Sequence, residues 1–257
     1  MQGPLLRDVA LVAIGNTVIA GRTIGSPWPG GDVFRFSAEC VFRDKDQSVI
    51  AADPNAWFER LRGFDGLWLD YSDRERWVSD RMTQGFVGGG HRWLIGAVRS
   101  DSTELWEGGD RLGDRNAPDG KIWESGYVRL EADWKQKRDP GRSVAELRTA
   151  LDRTLIDIEA FARGQKIDNF ADLFAQARNA LTAPPRPDPM LMGAPLPDEA
   201  AQLWSAIGSA WVFGGMGSWN DMGFDGEDGK TYETLSDTLF EQLNEAVAAV
   251  ANSTWPK

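Results

Sequence analysis

The chain has 257 residues, 42% of them hydrophobic and 26% charged, and its 12 Trp and 12 Phe are enough to fill a sizeable core. Its 39 acids outweigh 28 Lys and Arg, giving a net charge of −11. That surface repels phosphate backbones and anionic lipids, so neither nucleic acid nor membrane is expected as a partner, and a basic protein partner or a cation is favoured.

Cys40 and His91 are the only cysteine and histidine. Intrachain disulfides, cysteine-rich zinc sites and two-histidine metal centres are thereby excluded, and no cofactor is expected.

The first apolar run, Val9 to Ile14, has an acidic flank at Asp8 and is too short for a signal peptide or a membrane span. A cytoplasmic location is expected. Val9–Ile14 and Thr17–Ile19 flank Gly15-Asn16, a tight-turn signal, and read as two short strands. From Val33 to Phe42 apolar residues alternate, placing Phe34, Phe36, Ala38, Cys40 and Phe42 on one strand face. Cys40 is then a buried structural thiol rather than a nucleophile.

Asp53-Pro54 starts a helix with an apolar face of Trp57, Phe58 and Leu61. Arg92–Val98 has strand length. Tyr127–Trp134 alternates, with Val128, Leu130, Ala132 and Trp134 on one face, and the turn between these two strands is Asn116-Ala-Pro-Asp-Gly120.

From Ser143 the period becomes helical. Ser143-Val-Ala-Glu146 is a capping box, followed by an apolar stripe through Leu147, Leu151, Leu155, Ile158 and Ala162. Asp168 can cap a second helix bearing Phe170, Leu173, Phe174 and Ala177. Four prolines make residues 183–189 a semi-rigid connector. A third helix runs from about Pro197 to Trp211, and a fourth carries Tyr232, Leu235, Leu239, Leu243, Val247 and Val250.

The order, strands first and helices later, predicts an α+β fold: a mostly antiparallel sheet with an inserted helix over residues 1–140, and about four helices over 141–257, the two halves forming either separate units or one compact domain.

The loop between the third and fourth helices, Gly214-Gly-Met-Gly-Ser-Trp-Asn-Asp-Met-Gly-Phe-Asp-Gly-Glu-Asp228, stands out. Its glycines follow a helix C-terminus and carry no Lys-Ser/Thr ending, and five acids between Asp221 and Glu233 face the single Lys230. A phosphate is rejected from both sides.

As a calcium loop it is a near miss. With Asp221 at position one, Asp225 and Gly226 fall correctly, but Gly223 and Tyr232 occupy ligand positions three and twelve. A cation at Asp221, Asp225, Glu227 and Asp228 is the lesser reading.

The favoured reading is a non-enzymatic protein-binding module, of the immunity-inhibitor kind. Trp219 serves as its aromatic anchor, with Asn220, Asp221, Asp225, Glu227 and Asp228 around it and Trp28 in a second Gly/Pro-rich loop. The competing role for Trp219 is a lid folded back on the helix pair.

Catalytic groups are few. His91 sits at a glycine-rich loop's end with no nucleophile elbow nearby. Glu124 and Asp70 (beside Trp68) are the nominal acid and base of an alternative carboxylate-based, glycosidase-like hydrolase with a Trp-lined cleft.

Overall fold

The computed structural model describes residues 3–23, 25–71, 81–84, 92–135, 140–191 and 193–256. The fold is α+β, with a six-stranded mixed sheet in the N-terminal half and most helices in the C-terminal half. The strands are β1 (Ser37–Asp44), β2 (Val49–Ala51), β3 (Gly66–Tyr71), β4 (Trp93–Val98), β5 (Thr103–Leu112) and β6 (Trp123–Trp134), in spatial order β2-β1-β6-β5-β4-β3. Every pairing is antiparallel except β1 with β6. The expected hairpin turn closes at Gly120, whose φ of 73° needs a glycine, but it joins β6 to β5 rather than to the Arg92–Val98 strand.

The largest departure from expectation is at the start. Val9–Ile14 and Thr17–Ile19 are not strands: Gly3–Ile19 is one helix, α1, packed against β3, β4 and β5 and against the C-terminal helix Gly226–Asn252. Every residue from Val9 to Ile14 is fully buried or nearly so. A helix enclosed on all sides needs no polar face, so it carries no helical period, and its β-branched residues imitate a strand. At Gly15, a Cβ would press into the Leu67 side chain, which is how closely α1 approaches β3.

The remaining helices follow their local signals. In α2 (Pro54–Arg60), the Asp53 carboxylate accepts from the Ala56 amide at 2.8 Å and Pro54 takes the first helical position. In α3 (Val144–Gly164), the Ser143–Glu146 capping box is formed in both directions. Helix α4 (Asp168–Ala180) begins at Asp168 itself, with Ile167 as the capping residue, so Asp168 supplies a first-turn charge rather than a side-chain cap.

After the proline connector come α5 (Asp198–Ala210) and α6 (Gly226–Asn252). Helix α6 starts six residues before Tyr232, because Glu227 and Asp228 favour a helix N-terminus despite Gly226 and Gly229. Helix α3 packs on α4 and α6, and α5 packs on both α4 and α6. Through α1 and β3, α6 also reaches the sheet, and a single cluster of buried apolar residues runs through both halves of the chain.

The β1 alternation begins later than the pattern implied. Phe34 is buried in a short 3-10 turn, while Phe36 and Ala38 are exposed. An irregularity between Ser37 and Glu39 resets the face, so Ser37, Cys40 and Phe42 point inward. Beneath the sheet, Phe42 lies stacked between Trp57 and Tyr127, with Trp106 edge-on to Phe42 and Trp57.

The free edge of β3 is closed by side chains. The Asn16 carboxamide accepts from the Leu67 amide at 2.6 Å and donates to its carbonyl at 2.9 Å. Asn252 does the same at Leu69, at 2.7 and 3.0 Å. Two asparagines thus occupy the positions of a neighbouring strand's amides. Among the described residues no helix is long and apolar enough to cross a membrane.

Candidate functional site

The loop between α5 and α6 is fixed from inside. Trp219 is completely buried, edge-on to Phe170 and Phe174 of α4. Its indole N–H donates to the Ser236 hydroxyl at 2.8 Å, and its carbonyl accepts from the Tyr232 hydroxyl at 2.6 Å. Of the two roles weighed for this residue, the lid is the one realised, and the exposed anchor is corrected.

Asn220 is likewise committed inward. Its amide donates to the Arg81 carbonyl and its oxygen accepts from the Arg81 guanidinium, itself buried and paired with Glu233 and Asp237. Trp28 is half-buried against Phe34.

The carboxylates remain outside. Asp221, Asp225, Glu227 and Asp228 are all exposed; Asp221 accepts from the Gly217 amide and Glu227 pairs with Lys230. Among the described residues no three potential metal ligands converge, so these four acids are not gathered into a cation site.

Sequence reasoning missed Met216. Flanked by Gly215 and Gly217, it is fully exposed at the loop tip. An apolar side chain between two loop glycines, with no apolar neighbour to pack on, was the available signal.

The carboxylate pair of the hydrolase reading is not assembled. Asp70 lies on β3 and Glu124 on β6, with β4 and β5 between them. The register from Asp70 runs through Leu94 and Glu107 to Val128, four residues from Glu124. Three strand spacings and four residues of rise set their Cα atoms roughly 20 Å apart, beyond the ~5–10 Å carboxyl separation of glycosidases. His91 lies outside the described residues. The strand neighbour of Glu124 is Glu39, on β1.

Glu124 instead forms the rim of a trough of about 600 Å³ on the sheet face opposite α1. Its floor is the row Val41–Gly126–Gly109 across β1, β6 and β5. One rim is the row Glu39–Glu124–Arg111 and the other is Arg43–Val128–Glu107. Arg111 neutralises Glu124 and Arg92 neutralises Glu107, while among the described residues the Arg43 guanidinium reaches only the Gln47 carbonyl, at 3.3 Å. Glu39 makes no ion pair among the described residues.

Under this end of the sheet is a buried polar network. Arg7 donates to Tyr127 at 3.1 Å and to Ser125 at 2.9 Å, and pairs with Asp110 at 2.9 Å. Tyr127 donates to Asp8 at 2.5 Å, and the Ser37 and Ser125 hydroxyls meet at 2.9 Å. Burial pushes the Asp8 carboxyl up to about 7, against the opposing pull of Arg7 and the Tyr127 hydrogen bond. Burial also raises the Cys40 thiol to about 12, which leaves it inert as a nucleophile.

Comparison with known proteins returns no match, whether to a family model, a curated protein or a solved structure.

Proposed function

We propose that the chain is a non-enzymatic, acidic binding module for a basic protein partner, acting in the way an immunity-type inhibitor acts on a basic toxin or nuclease. The observation that supports this reading is the loop at residues 214–228. A fully exposed Met216 stands at the tip of a segment that also presents the carboxylates of Asp221, Asp225, Glu227 and Asp228.

Trp219, Tyr232 and the Arg81–Asn220 clamp hold the loop's base from within. Binding then needs little ordering of the backbone, which leaves more of the contact energy as affinity. Met is the adaptable apolar residue of protein-binding surfaces, and the acids steer a cationic partner toward it. The net charge of −11 extends that field over the molecule and disfavours nucleic acid. A cytoplasmic setting accompanies this reading, since one buried free thiol requires no oxidising compartment.

The test is affinity capture from the native host at low salt, with wild type beside two variants. One carries Asp221→Asn, Asp225→Asn, Glu227→Gln and Asp228→Asn; the other carries Met216→Ser. A basic protein held by wild type and lost by both variants, with circular dichroism unchanged, is the expected result. Identical captured sets for all three would eliminate the loop as the contact surface.

A further inference from the structure

We propose that the trough on the outer sheet face is a second, independent site, and that it binds short peptides of three or four residues with both termini free. The trough exists because Gly109 and Gly126 are paired neighbours on β5 and β6, so the side-chain layer is missing there. Neither lies in the left-handed region of φ, and a Cβ on Gly109 would meet nothing within 4 Å. The gap is therefore not demanded by the backbone. Glycine in a strand interior weakens the sheet and marks close approach of another group. Val41 and Val128 offer the apolar contact in and beside the floor.

The charges select the ligand. The rims hold two internally neutralised pairs, Glu124 with Arg111 and Glu107 with Arg92. That leaves the Glu39 carboxylate and the Arg43 guanidinium, both on β1, without a charged partner among the described residues. They stand four residues apart on one strand face, about 13 Å between Cα atoms.

A ligand satisfying both must carry a cation at one end and an anion at the other, separated by a comparable length. A free amino acid is too short. An extended peptide rises at most ~3.3–3.6 Å per residue, so three or four residues place an ammonium at Glu39 and a carboxylate at Arg43. Charge-assisted hydrogen bonds at both ends then fix its direction, with the N-terminus toward the β5–β6 hairpin. The cavity volume falls in the range of small-ligand sites.

Isothermal titration calorimetry with tetraalanine tests this, using the free peptide, its N-acetyl form and its C-amide at millimolar concentration. Wild type is expected to bind the free peptide and to lose roughly tenfold or more with either cap, the effect of one charged hydrogen bond. Glu39→Gln should bind the free and N-acetyl forms equally, and Arg43→Gln the free and C-amide forms equally. Gly109→Val should abolish binding while keeping or raising Tm, because its side chain fills the trough. The four-amide loop variant should bind the peptide as wild type does, which separates this site from the partner surface. Absence of heat from wild type with the free peptide, undiminished binding by Gly109→Val, or indifference to both caps would each overturn the proposal.

Discussion

At the residue scale, the buried Asp8 carboxyl makes stability depend on pH. In the unfolded chain its carboxyl titrates near 3.8, and in the fold near 7. Between those values the folded state holds the proton more tightly, so this group's contribution falls as pH rises from about 4 to 7 and is flat outside that window. The integrated effect is at most about 4 kcal/mol. Urea denaturation of Asp8→Asn should therefore match wild type near pH 4 and show a higher midpoint than wild type at pH 8. If the Asp8→Asn protein kept the pH slope of wild type, the proton would reside elsewhere in the network.

Trp219 tells a parallel story about packing. Trp219→Phe removes the donor to Ser236 and part of a ring enclosed by Phe170, Phe174 and Tyr232. A loss of roughly 1–3 kcal/mol, read as a lower Tm, is expected. The residue's type and loop position were legible in the sequence, but its direction was not. Only the approach of α4 across the connector turns it inward.

At the scale of elements, legibility tracked how local each signal was. Asp53-Pro54, the Ser143–Glu146 box and the turn ending at Gly120 act within a few residues of themselves, and each is formed. Helix α1 was illegible because the polar contrast that reveals a helix vanishes when all its faces are buried. Strand β5 carries two glycines in Glu107-Gly-Gly-Asp110, which weaken its strand signal in the sequence. The trough needed the register that sets Gly109 against Gly126, a pairing across a hairpin rather than along the chain.

The α1–β3 contact can be tested at Gly15 and Asn16. Gly15→Ala drives a methyl into Leu67 and should cost about 1–3 kcal/mol, with partial recovery in the Gly15→Ala/Leu67→Ala double variant. Asn16→Ala leaves the Leu67 amide and carbonyl without their partner and should cost about 1–3 kcal/mol in chemical denaturation, more than its lost volume accounts for.

At the scale of the molecule, the separation of field from contact predicts a kinetic signature. The net charge of −11 acts over about a Debye length, roughly 10 Å at 0.1 M salt, and governs how fast a basic partner arrives. Met216 touches only a partner already docked. In stopped-flow association, the four-amide variant should lower the on-rate and flatten its salt dependence with little change in off-rate. Met216→Ser should raise the off-rate and leave the on-rate near wild type. A salt-insensitive on-rate for wild type would count against electrostatic capture.

The two asparagines on β3 have a consequence for assembly. Growth by strand addition needs a donor edge and an acceptor edge on every copy, so that each added unit exposes the next. With Leu67 and Leu69 already bonded to Asn16 and Asn252, one end of the sheet is sealed, and the strand at the other end, β2, is three residues long. Among the described strands, pairing with a further strand is therefore blocked at Leu67 and Leu69 and has only the short edge of β2 at the other end.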